Sequence, residues 1–203
     1  MKKHLPMLFF TVAISVNAQS DFKNFLKLSG PIKRWVLFHP FKAKTSLKIS
    51  NETNKVADSI RNTNLLDGDA AGGQVDAFRH AYWMARLRQE IGKSSAKSLG
   101  KAHEKDNYIT YKKLKLEDGF VPDEISSEMD LHNNDEGLKL IKRRSKTPRN
   151  SLIYKIINAI KQGKMKIIKK DKKGNFLTCE GKIIPKKELK GKWKNNKCLV
   201  ASN

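Results

Sequence analysis

A mainly α fold is predicted, with a helical bundle core of about five helices and a small C-terminal antiparallel β meander. Three observations predict it. Apolar residues recur at helical spacing from about Ser46 to Lys146. Gly92 and Pro148 stand where two of those periodic runs should stop. After Gly163 the pattern changes to short β-prone runs separated by Lys-Gly and Gly-Lys turns.

In chain order, MKKHLPMLFFTVAISVNAQS places two lysines before an apolar run from Leu5 to Val16, followed by small residues to Ala18. That pattern is a signal peptide spanning 1–18, with cleavage near Ala18 and an exported (periplasmic or secreted) product. The apolar run is shorter than the roughly 20 residues that span a bilayer. The remaining chain is long enough for one domain with a core plus a small appendage. Residues 19–50 are expected to form an ordered lead-in with Pro31, Pro40 and one short helix, and its Trp35, Phe38 and Phe41 are expected to pack on the main body. His39, ahead of Pro40, should be extended or in a turn.

The helical core domain is expected over 51–162. Ser50-Asn51-Glu52 can cap a helix reaching Arg61, and NTNLLDGDAAGG is a polar, glycine-rich turn. The next helix covers 74–91 and stops at Gly92. Another starts at Ser94 or Ser95 and carries Ala96, Leu99, Ala102 and His103. DNYITYKKLKLEDGFVP breaks the period, a further helix begins near Asp123 to Ser127 and runs to about Arg144, and SLIYKIINAIKQGK forms the last. Residues 163–203 are the basic β appendage, in which Cys179 and Cys198 can form one disulfide in an oxidising compartment.

The chain has 42 Lys plus Arg against 20 Asp plus Glu, a formal net charge of +22. Such a surface attracts anions, whether nucleic acid, lipid headgroups or envelope polymers, although scattered lysines also serve solubility alone. Two cysteines cannot build a structural zinc site. There is no HExxH, GxSxG or P-loop.

Candidate chemistry sits in the centre. Wound at about 100° per residue, the helix over 74–91 places Asp76, His80, Trp83, Met84, Leu87 and Ile91 on one face. Val75, Phe78, Tyr82 and Ala85 form a second apolar face, so the helix should be buried on two sides. An ionisable pair there is costly unless partnered or ligated. His103 and Glu104 follow in GKAHEKDN. In EMDLHNNDEG, Asp130, Asn134, Gly137 and Ile141 share a face, whereas His132 points about 200° away from Asp130. Asp130 and Asn134 are therefore the inward-facing pair.

DAFRHAYW, AHE and MDLHNN together resemble the ordered motifs of an uncharacterised bacterial family, a domain of unknown function found in exported and toxin-associated proteins. The resemblance covers about Asn64 to Lys142. It implies a mainly helical fold and a shared site of Asp76, Arg79, His80, His103, Glu104, Asp130 and Asn134. RHAYW is also similar to the catalytic-helix motif of small bacterial phospholipases A2, but Ala81 stands where that family has its calcium-binding aspartate.

Two functional expectations follow. One is an exported, toxin-like hydrolase acting on an anionic substrate such as phospholipid, nucleic acid or envelope polymer. There His80, oriented by Asp76, is a general base or a ligand with His103 and Asp130 for a divalent metal such as zinc. Arg79 would serve the substrate's charge, and an immunity protein would be the partner of a toxin. The other is a non-enzymatic secreted binding or structural protein whose Asp/His cluster is a buried polar network.

Overall fold

The computed structural model describes residues 23–116 and 121–203, so the expected leader with its cleavage point lies outside the described residues. Residues 23–27 are helical. Six longer helices follow: α1 (Gly30–Phe38), α2 (Pro40–Arg61), α3 (Gln74–Ile91), α4 (Lys93–Lys112), α5 (Glu124–Leu140) and α6 (Arg149–Lys161). Strand β1 (Lys166–Ile168), a single turn α7 (Lys186–Leu189) and strand β2 (Leu199–Ala201) complete the order.

The fold is mainly helical, but the count exceeds the expected five because the lead-in is itself helical. Pro31 and Pro40 each fall in a first helical turn, where a missing N–H costs no hydrogen bond. α2 then runs through position 50, and Ser50 is not a cap. Its hydroxyl donates back to the Ser46 carbonyl oxygen at 3.0 Å, one turn earlier. Trp35 packs as expected and donates through Nε1 to Ser98 Oγ at 2.9 Å on α4. Phe38 and Phe41 do not pack. They flank the corner at His39 and are 73% and 98% exposed, because no layer covers that corner among the described residues.

α3 is the central helix and is buried on two sides. Val75, Phe78, Tyr82 and Ala85 join Leu152, Ile156 and Ile160 of α6 in one cluster. Met84, Leu87 and Ile91 join Trp35, Leu99 and Leu138 in another. Gly92, at φ 84°, ends α3 in a backbone conformation that glycine adopts without strain.

α5 opens on a capping box, in which Asp123 accepts from the Ser126 N–H at 2.8 Å and Ser126 Oγ accepts from the Asp123 N–H at 3.1 Å. It ends at Leu140, short of Arg144, because Ile141 is already extended. α5 crosses α3 at very close range. A Cβ on Gly137 would lie 2.3 Å from the Ala81 carbonyl oxygen, so only glycine fits.

The expected meander is one two-stranded antiparallel sheet made from the first and last runs of the tail, with Lys166 opposite Ala201. Between them stand isolated bridges, Lys170 to Phe176 and Leu177 to Ile183. The tail is pinned to the helices by Asn133, whose side chain bonds both the N–H and the carbonyl of Lys166. Cys179 and Cys198 form a disulfide across it. Among the described residues no helix is long and apolar enough to cross a membrane.

α2, α3 and α6 are also joined by charge. Glu52 Oε1 accepts from Tyr82 Oη at 2.7 Å and Arg86 Nε at 3.0 Å, and Arg149 Nη2 lies 3.1 Å from Oε2. Burial pushes the Glu52 carboxyl up, but the bonds from Tyr82 and Arg86 and the charges of Arg86 and Arg149 outweigh it and hold it below its ordinary value.

Two outcomes are expected. Gly137→Ala should destabilise the protein by about 1–3 kcal/mol through overpacking, read by urea denaturation, whereas Gly30→Ala, with nothing within 4 Å, should be near neutral. A carboxylate with a depressed folded pKa contributes stability that is complete above its unfolded value and is lost as pH falls through the folded one. Glu52→Gln should therefore be less stable than the parent at neutral pH, with the gap closing as the pH drops below about 4.5. A gap that did not change with pH would sink this account of Glu52.

Candidate functional site

Asp76 enters from the first turn of α3, and His80 sits one turn further along. The Asp76 carboxylate is held from two directions, Oδ2 accepting from the Gly72 N–H at 2.7 Å and Oδ1 from Arg79 Nη2 at 2.7 Å. The turn that delivers Gly72 is itself braced by side chains. Asp67 accepts from the Gln74 and Asp69 N–H groups, and the Gly72 carbonyl accepts from the Ile168 N–H of β1.

The close α3–α5 crossing brings Asp130 and Asn134 to His80. His80 Nδ1 lies 3.3 Å from Asn134 Oδ1, and with the amide in this orientation Nδ1 carries the proton, because an amide oxygen only accepts. Nε2 then faces two carboxylates, 3.2 Å from Asp130 Oδ1 and 3.6 Å from Asp76 Oδ1. Burial, followed by the charges of Arg79 and His103, holds the His80 pKa well below the ordinary imidazole value, against the hydrogen bond to Asn134 that raises it. In that tautomer Nε2 presents a lone pair to the carboxylates.

One ligand atom each from Asp76, His80 and Asp130 lies within 4.8 Å of the others, and all three residues are buried. Ligands around a tetrahedral zinc at ordinary bond lengths stand about 3.4 Å apart. The two separations from Nε2 match that spacing. A cavity of about 60 Å³ adjoins the cluster, enough for an ion and a few waters, with Val121, Pro122, Ile168, Phe176 and Lys197 in its walls.

Of the other sequence-predicted residues, Arg79 binds Asp76 and lines this cavity. His103 lines it too, but its ring centroid is 6.2 Å from that of His80 and it packs edge-on against Trp83 at 5.6 Å. His103 thus faces the cluster without joining its three-ligand set. Glu104 is buried on α4, accepts from Asn107 Nδ2 at 3.3 Å, and lies outside the described cavity walls. His132 is turned away, with Nε2 3.1 Å from the Lys164 carbonyl.

Sequence reasoning missed the contribution of the tail. Lys197 Nζ forms a buried ion pair with Asp123 at 2.5 Å and lies 3.9 Å over the Phe176 ring, and both residues stand in the cavity wall. Nothing in their local pattern marks them. The turn residue Gly72 was legible as a turn, not as the backbone donor that orients Asp76.

Residues 33–164 match the model of a family described as a domain of unknown function, DUF6973. The chain belongs to the DUF6973 family. Its matched region contains Asp76, His80, Asp130 and Asn134, while Ile168, Phe176 and Lys197 lie beyond the matched end. No curated protein and no solved structure matches the chain.

Asn134→Ala removes the acceptor for a buried ring N–H. It should cost about 1–3 kcal/mol of stability by urea denaturation. A cost near zero would mean that Asn134 does not hold the ring.

Proposed function

We propose that the protein is an exported hydrolase in which Asp76, His80 and Asp130 hold a divalent ion such as zinc, acting on an anionic substrate. One observation carries the reading: one ligand atom each from the buried Asp76, His80 and Asp130 lies within 4.8 Å of the others. Without a cation or a shared proton, three electron-rich atoms that close would repel one another. Three protein ligands with room for water suit a catalytic site rather than a closed structural one.

An ion in that position would lower the pKa of a bound water toward neutrality and polarise the substrate. The chain's own groups supply the rest. Asn134 fixes the His80 tautomer, and Gly72 with Arg79 orients Asp76. His103 lines the cavity with its ring centroid 6.2 Å from that of His80, where it would exchange a proton with a bound substrate. The leader sequence supports export, the charge of +22 supports an anionic substrate, and the resemblance to toxin-associated proteins supports an immunity protein as partner.

A second reading, a non-enzymatic protein with a structural polar network, is favoured by the several bonds from Gly72, Arg79 and Asn134 that already brace the cluster. Metal content of the purified chain separates the two. About one divalent ion per chain is expected from mass spectrometry, with loss of the ion in His80→Ala and Asp130→Asn. Added zinc should raise the melting temperature of the parent and not of the variants. No ion after reconstitution would return the cluster to the structural reading.

A further inference from the structure

Two cavities meet at Arg79, His80 and His103, and their walls differ in sign. The first contains the carboxylates of Asp76 and Asp130. The second, of about 290 Å³ between α2, α3 and α4, has no carboxylate in its described walls. Thr53 and Asn54 of α2, Arg79 and Trp83 of α3 and His103 of α4 face it.

Thr53 is the telling residue. It is 2% exposed, and its hydroxyl has no hydrogen-bond partner among the described residues. A hydroxyl inside a helix ordinarily donates to the carbonyl one turn back. On this same helix Ser46 does so to Lys42 and Ser50 to Ser46. Thr53 instead leaves a desolvated hydroxyl without a partner beside this cavity, a cost that a bound ligand would remove once a χ1 rotation turned the hydroxyl toward it. Trp83 is a wall and not a donor, because its Nε1 is already bonded to Ser50 Oγ at 2.9 Å.

We infer that this second cavity is an oxyanion subsite that takes a phosphoryl group of the substrate. Thr53, Asn54, Arg79 and His103, which carry a hydroxyl, an amide, a guanidinium and an imidazole, line it from three helices. A planar carboxylate is matched by one guanidinium fork alone. Donors from three sides match the several oxygens of a tetrahedral phosphoryl group. The shared wall of Arg79, His80 and His103 sets that group beside the Asp76, His80 and Asp130 cluster, which is where a hydrolase of phosphate esters needs it. The catalytic use of the subsite rests on the hydrolase reading, whereas phosphate binding itself requires no metal.

The test is calorimetric titration of the purified full chain with inorganic phosphate in the presence of a chelator, with acetate as comparator. Saturable phosphate binding is expected, weaker by about fivefold or more in Thr53→Val, which keeps the side-chain shape, and also weakened in Asn54→Ala. Acetate should bind more weakly than phosphate. Absence of phosphate binding overturns the inference. So does binding unchanged in both variants while their melting temperatures match the parent, since that is general attraction to a basic surface. Acetate binding as tight as phosphate overturns the phosphoryl assignment. Phosphate binding in a chain that takes up no metal upholds the subsite and sinks the metal reading. Metal uptake without phosphate binding sinks the subsite alone.

Discussion

The contact on which the site depends is backbone against backbone, where α5 lies on α3 at Gly137 and Ala81. Dispersion gain falls steeply with separation, so two helices this close gain from contact along their facing surfaces, provided neither carries a side chain at the crossing. Gly137 meets that condition on α5, and Ala81 is the smallest residue that keeps α3 a good helix. The polar residues follow from the crossing. On α5, Asn134 and Asp130 precede Gly137 on the same helical face, and on α3, His80 adjoins Ala81 with Asp76 one turn back. A wider crossing would leave His80 Nε2 beyond hydrogen-bond or ligand distance of Asp130.

The C-terminal tail completes what the crossing begins. Asp123 caps α5 with one carboxylate oxygen and holds Lys197 and Asn195 with the other, so one side chain fixes both the start of a helix and the position of the tail. The disulfide joins Cys198, next to Lys197, back to Cys179. Cross-linking a loop of this length restricts the unfolded chain by about 3 kcal/mol in the chain-entropy picture. The tail is thereby held over the cavity although its sheet is only two short strands, too little to be stable alone.

What could be read from sequence was whatever repeats along one element. The period of 3.6 put Asp76 with His80 and Asp130 with Asn134, and it turned His132 away, which is the arrangement found. It also put α3 under two layers. What could not be read were contacts without a period. Lys197 and Phe176 reach the cavity through ion-pair and ring contacts far from it in sequence. A serine such as Ser50 suits both a cap and a helix interior, and the helix that begins ten positions earlier at Pro40 puts it in the interior. Phe38 and Phe41 are apolar enough for a core, but their burial depends on whether another layer reaches the His39 corner.

The electrostatics of the cluster turn on the amide of Asn134. With Oδ1 toward the ring, Nδ1 holds the proton, Nε2 offers a lone pair, and the negative charges of Asp76 and Asp130 converge on a point that favours a cation. With the amide reversed, Nδ2 would donate to Nδ1, and Nε2–H would donate to Asp130 and close the network on itself. In either arrangement burial, and then the charge of Arg79, opposes protonation of the ring, while Arg79 also braces Asp76. Arg79 also lines the carboxylate-free cavity behind the ring. The same guanidinium therefore braces a carboxylate on one side of His80 and lines a cavity without carboxylates on the other, so that a cation favoured by the first and an anion favoured by the second would be separated by a single histidine.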